Sequence, residues 1–292
     1  MKRPNQALQP TRMLVTFRAC ARPAPSTRVA DLGRWATMRK LIKTTLLCAV
    51  LALIAFVAAP RVIPSVFTWH RPDITFLMPA EEKRIFITID DAPSTATSEI
   101  LQVLRKHQVS ATFFIIADRV KSPAQLEEII SAGCSLGNHL KTTKACSELS
   151  FAEFRDDFDA CATLLEKVER PRLFRPASDF GTEEQIAYAR SRGHLAVLGT
   201  VFPMDHWISD AGLLATFARW LAVPGGIVIL HDGDVRGPTT AQVLDRLIPR
   251  LREAGYSFGR LEEPNQALQP TRMLVTFCAY AQPAPSTRVA DL

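Results

Sequence analysis

Cysteine is scarce in this 292-residue chain, and the six present are poorly placed for a framework. Cys20, Cys48, Cys134, Cys146, Cys161 and Cys278 do not show the short spacings of a zinc-cysteine site. Cys20 and Cys278 lie in terminal segments and Cys48 in an apolar run. The central region keeps an odd three, which excludes a small disulfide-stapled fold. Buried thiols are the expected state of those three, although one pair could oxidise outside the cytoplasm.

An excess of one charge is also missing once position is considered. The net charge is +6, and the sequence pI is about 9.1. Residues 1–37 alone hold seven Lys/Arg against one Asp, whereas 38–263 hold 26 basic and 27 acidic residues. The basic character belongs to the flanks, so no nucleic-acid partner is expected.

Those flanks are two copies of one 29-residue segment, 4–32 and 264–292. They differ only at Arg18/Cys278, Cys20/Tyr280 and Arg22/Gln282. Solenoid repeats occur in tandem because each buries a face on its neighbour. These copies are separated by the rest of the chain, and each holds four prolines and little periodicity. The reading adopted is a translated interspersed DNA repeat: 1–37 a non-native extension, 263–292 a disordered second copy. The alternative is a genuine basic or linker tail. Met38 then stands as the expected start. Arg39, Lys40 and Lys43 precede 17 uncharged residues, 44–60, which as a helix would span about 25 Å against a hydrocarbon core of ~30 Å. This is a signal peptide or an N-terminal membrane anchor, with Val57-Ala58-Ala59 as the small-residue site and Pro60 hindering cleavage there. The protein is expected to be exported, or held at the inner membrane through 44–60. Residues 61–81 read as a spacer in which Pro64, Pro72 and Pro79 discourage regular structure.

The densest information lies at Asp90-Asp91, which end the apolar run 85–89. That run reads as a strand buried on both faces. Two carboxylates there require positive charge beside them, a divalent metal or an arginine. A helix cap by Asp91 or Ser94 before a helix at 95–108 is the plainer alternative. Further apolar segments end in His139, in Arg175 before a proline, near Asp205, and in His231. Amphipathic stretches at 125–132, 151–168, 183–192, 211–222 and 239–254 lie between. The pattern is that of parallel β/α units, in which chemistry gathers at strand carboxyl ends.

The segments 88–94 (TIDDAPS), 137–139 (GNH), 174–176 (FRP), 205–207 (DHW) and 229–233 (ILHDG) resemble, in order, the five motifs of the polysaccharide deacetylases. These are the NodB-homology domains of carbohydrate esterase family four. The resemblance covers 82–262 and implies an α/β fold, a deformed, incomplete (β/α) barrel. That length is short of the ~250 residues of a full barrel. It implies a metal-dependent hydrolase that removes N-acetyl groups from a chitin-like oligosaccharide or from peptidoglycan. Asp91 and His139 would bind one divalent ion, with zinc the first choice and cobalt or nickel the others. Asp90 would be the general base, Arg175 its orienting partner, His231 the general acid and Asp205 the support of His231. Trp207 and Ile229 would line the acetyl pocket. The partner is then an N-acetylated glycan, and a monomer is expected.

The chain departs from the family pattern at three places. The second motif runs His139-Leu140-Lys141-Thr142-Thr143, with Thr143, a poor zinc ligand, at the usual second histidine. Asp205, His206 and Asp179 are conceivable third donors. The third motif has Ala177-Ser178-Asp179 after Pro176. The fourth has one residue between aspartate and tryptophan, leaving its register open by one. A NodB-like domain that binds glycan with a decayed metal site is the alternative function, and a hydrolase of a different amide is a third.

Overall fold

A computed structural model describes residues 27–79, 82–169, 172–178, 180–233 and 235–261. The chain divides into two units, Met1–Val57 and Ala58–Leu292. Helix α1 is Thr27–His70, and its Thr37–Pro60 stretch is long and apolar enough to cross a membrane. Leu46, Leu47, Leu53, Ile54 and Phe56 are all exposed on it. The second repeat copy and residues 4–26 of the first lie outside the described residues, as does Asp179.

The expected spacer at 61–81 is corrected. Helix α1 runs on through Pro60 and Pro64, and the chain after it joins the core. A helix-interior proline costs about 3 kcal/mol. Local contacts offset this: Phe67 stacks on Phe76 with centroids 5.5 Å apart, and Phe180 lies 5.7 Å from Phe67. Arg71 closes the corner with a bidentate bond to Asp73 (2.7 and 2.9 Å) and a third bond to the Gly181 carbonyl. Ile74 and Phe76 are buried, and Thr75 and Leu77 bridge to Val197 and Gly226.

Beyond this corner the alternation of strand and helix holds. The strands are β1 (Arg84–Ala92), β2 (Thr112–Ile115), β3 (Ser135–Asn138), β4 (Leu173–Phe174), β5 (Leu195–Ala196), β6 (Ile227–His231) and β7 (Ser257–Gly259). The helices are α2 (Thr97–His107), α3 (Pro123–Ser131), α4 (Phe151–Leu165), α5 (Glu183–Ser191), α6 (Ala211–Leu221) and α7 (Gly237–Glu253). β2 was not singled out in the sequence. Its run Thr112-Phe113-Phe114-Ile115 is fully buried and too short for periodicity to separate strand from helix. Helices α4 and α5 open with reciprocal caps: Ser150 with Glu153, and Thr182 with Gln185. The helix-cap reading of Asp91 and Ser94 is overturned. α2 starts at Thr97 behind Ala96, with no side-chain cap.

All seven strands pair in parallel, in the order β5-β4-β3-β2-β1-β6, with β7 against the start of β1. The sheet curls. Val201 bridges Val228 of β6, so the chain leaving β5 approaches the opposite edge. This is the deformed, incomplete barrel that was expected. Cys134, Cys146 and Cys161 are buried thiols, and burial pushes Cys161 up to about 12.

Gly225 tests whether 74–78 belongs to the folded unit. Its φ is +77°, and a Cβ there would overlap the Met78 carbonyl oxygen. Gly225→Ala is expected to lower stability by at least about 1–3 kcal/mol, read from the denaturation midpoint. An unchanged midpoint would return this segment to the status of a spacer.

Candidate active site

Thr88 and Asp90 are two residues apart on β1, so they share one face. Arg175, which follows β4, meets both. Its Nη1 donates to Asp90 Oδ1 at 2.6 Å and to Thr88 Oγ1 at 2.7 Å, and its Nε donates to the Val197 carbonyl at 3.1 Å. The side chain is 1% exposed. Burial works to lower the guanidinium's pKa and Asp90 works against it. The Arg175 carbon lies 4.1 Å from the Phe114 ring centroid, a cation–π contact. Gly137 makes room for that ring, because a Cβ there would collide with it.

Asp91 turns out of the strand with φ +64°, uncommon for a residue with a side chain. Arg119 Nη1 donates to its backbone carbonyl. His139 follows β3, and its Nδ1 lies 2.8 Å from the Arg175 carbonyl. A carbonyl only accepts, so Nδ1 carries the proton and Nε2 holds the lone pair. That Nε2 lies 3.8 Å from Asp91 Oδ1. Two donors at this separation can share an ion about 2.0–2.2 Å from each. The pair fits a divalent metal. Thr143 is exposed.

His231 ends β6, in register beside Asp90. Its Nδ1 lies 2.9 and 3.0 Å from the two Asp205 oxygens, and its backbone N–H donates to Asp205 Oδ2 at 3.1 Å. The uncertain fourth-motif register thus settles with Asp205 on His231. Burial acts to lower the His231 pKa. The Asp205 hydrogen bond and charge, joined by Asp90 and Asp91, overcome it and leave the pKa raised. His206, by contrast, is lowered, by burial first and then by His231 and Arg236.

Asp205, His206 and His231 also form a group whose ligand atoms lie within 4.8 Å of one another. In that group His231 Nδ1 is already engaged by Asp205, whereas His139 has Nε2 free toward Asp91. Ile229 is buried beneath the site. Trp207 is 77% exposed.

Two residues of the site were missed in the sequence. Asp232 accepts from Ser94 Oγ and Thr97 Oγ1 at 2.5 Å each and from the Gly233 N–H at 2.7 Å, tying the β6–α7 loop to the start of α2. The single acid of the segment 229–233 was its only signal. Arg236 lies 3.0 Å from His206 Nε2 and 3.7 Å from Asp91 Oδ2. No motif marks it.

A curled parallel β/α sheet with paired acids and bases at its carboxyl ends defines a deformed-barrel protein of the carbohydrate-esterase type. Comparison gives the family. The polysaccharide deacetylase profile matches residues 78–197. A peptidoglycan-N-acetylglucosamine deacetylase of Bacillus cereus is 31% identical over 195 residues, covering 65% of this chain and 92% of that protein. A chitooligosaccharide deacetylase of a Bradyrhizobium species is 27% identical over 197 residues, covering 62% and 90%. Among solved structures, a peptidoglycan N-acetylglucosamine deacetylase bound to an N-oxidanyl-benzamide superposes with a TM-score of 0.62 at 25% identity, covering 67% of this chain and 94% of that one. A family-four pseudoenzyme from Bacillus anthracis superposes with a TM-score of 0.60 at 27% identity, covering 64% and 67%. The chain belongs to the polysaccharide deacetylase family.

The Phe114 ring is expected to stabilise Arg175. Phe114→Leu should cost about 0.5–2 kcal/mol more than Phe113→Leu, a buried neighbour that makes no such contact. Equal losses in chemical denaturation would remove that role from the ring.

Proposed function

We infer that the protein is a metal-dependent hydrolase that removes N-acetyl groups from an amino-sugar polymer of the cell envelope, of the peptidoglycan or chitooligosaccharide kind. The observation that carries this reading is the pairing of Asp90 with Arg175 and of His231 with Asp205 on adjacent strand ends, beside Asp91 and His139. The relatives named as deacetylases support catalysis over the glycan-binding alternative. The apolar stretch of α1 supports an exported or membrane-anchored enzyme.

Amide hydrolysis needs a nucleophilic water, a stabilised oxyanion and a protonated leaving amine. A divalent ion on Asp91 and His139 would polarise the acetyl carbonyl and lower the pKa of its water. Asp90, hydrogen-bonded to Arg175, takes the water's proton. Arg175 also fixes where Asp90 points. His231, kept protonated by Asp205, gives a proton to the departing amine nitrogen. Arg175 acts a second time through its carbonyl, which holds the His139 tautomer with Nε2 toward the ion.

Acetate release from peptidoglycan fragments and chito-oligosaccharides tests this. Asp90→Asn and His231→Ala should each lower turnover about 10²–10⁴-fold with metal content near normal. Asp91→Ala should remove metal and activity together. No acetate from any N-acetylated glycan at saturating zinc or cobalt would give the site to the binding-domain reading.

The pH dependence follows from His231. As a general acid it works only while protonated, so activity falls as pH rises through its pKa. That pKa is raised, which places the alkaline limb of kcat/KM above the ordinary ~6.5. Asp205→Asn removes the main support and leaves burial opposed only by Asp90 and Asp91, so the limb should move to lower pH. A limb that stays in place in that variant would assign it to another group.

A further inference from the structure

Asp91 and His139 alone leave an ion short of ligands, because catalytic zinc is held by three protein groups and a water. Thr143 is exposed, and a threonine hydroxyl is a poor zinc ligand. His206 faces the same region from the loop after β5. An arginine can only donate, so the 3.0 Å contact from Arg236 Nη1 makes His206 Nε2 the lone-pair nitrogen. The proton then sits on Nδ1, which lies 3.5 Å from Asp205 Oδ1. An imidazole whose second nitrogen faces a carboxylate is in the state of a metal-ligating histidine. The same Arg236 Nη1 lies 3.7 Å from Asp91 Oδ2. One positive nitrogen therefore stands between a carboxylate of the proposed metal pair and a ligand-ready imidazole. Arg236 is about one-third exposed and sits at the start of α7, so its side chain has solvent to withdraw into.

We propose that His206 is the third protein ligand of the metal held by Asp91 and His139, and that Arg236 is the charge that occupies the ion's side of Asp91 in its absence. The proposal rests on the metal assignment made above. Ligation requires His206 Nε2 and Asp91 to close on the point that the guanidinium nitrogen holds. Metal and guanidinium repel at that range, so one replaces the other. The ion would then be bound by one carboxylate and two imidazoles, a borderline-soft set suited to zinc.

The test is zinc affinity, measured on the detergent-solubilised, metal-stripped full chain by competition with a chromophoric chelator. His206→Ala should weaken binding by more than the ~10–100-fold that loss of a merely supporting group costs. Arg236→Gln should tighten it on the order of tenfold, the effect of removing one like charge at close range. Thr143→Ala should change nothing. His206→Asn gives a second variant should His206→Ala fail to fold, and the cobalt absorption spectrum should differ between it and the parent. Unchanged zinc affinity in the His206 variants, or weaker binding in Arg236→Gln, overturns the proposal. If zinc binding is lost in Asp91→Ala but not in the His206 variants, this inference fails and the metal assignment stands. If the parent binds no zinc, both fail.

Discussion

Arg175 joins the two halves of the candidate site, and it does so in the most expensive way available to a side chain. A buried guanidinium gives up its hydration, and only good partners recover that cost. Here the partners are Asp90, Thr88, the Val197 carbonyl and the face of Phe114. Its backbone serves the other half: the amide takes the Asn138 carbonyl and the carbonyl takes His139 Nδ1. Removing the side chain would strand a buried carboxylate. Shifting the backbone would turn the imidazole. Proposed base and proposed metal ligand are therefore set by the same residue.

This dependence explains what the sequence revealed and what it hid. The strand ends Asp90, His139, Arg175 and His231 were legible because apolar runs with polar termini are a local pattern, and parallel β/α units bring such termini together. The helices were legible from their periodicity to within a few residues. β2 was hidden because four apolar residues carry no period. The segment after α1 was misread because proline signals weigh on local propensity, while Phe67 and Phe76 both meet Phe180 and Thr75 bridges to Val197, contacts distant in sequence. Arg236 was hidden for a similar reason. Its partners are more than a hundred residues upstream at Asp91 and 30 upstream at His206, and a lone arginine before a helix has no distinguishing spacing.

Charge accounts for why the strand ends are arranged as they are. Asp90, Asp91, Asp205 and Asp232 gather at one end of the sheet, and each has a different remedy for its burial. Asp232 is satisfied by hydroxyls and an amide, so it can serve as a clamp between loops. Asp90 has a guanidinium and Asp205 an imidazole. Asp91 has only looser partners, His139 at 3.8 Å and Arg236 at 3.7 Å. Among the four it is the one whose carboxylate still calls for a close cation, which is the property required of a metal ligand.

The same reasoning separates acid from base. Asp90 accepts a hydrogen bond from the buried Arg175, which suits it to the proposed role of acceptor. An imidazole whose inner nitrogen faces a carboxylate keeps its proton further up the pH scale, so His231 stays a donor. Adjacent strands hold the two in register at Asp90 and His231. The proposed base and the proposed acid thus stand side by side at neighbouring strand ends. An acceptor and a donor at neighbouring strand ends are what a single-site acid–base hydrolysis needs. The fold supplies this by placing a cation behind one strand end and an anion behind its neighbour.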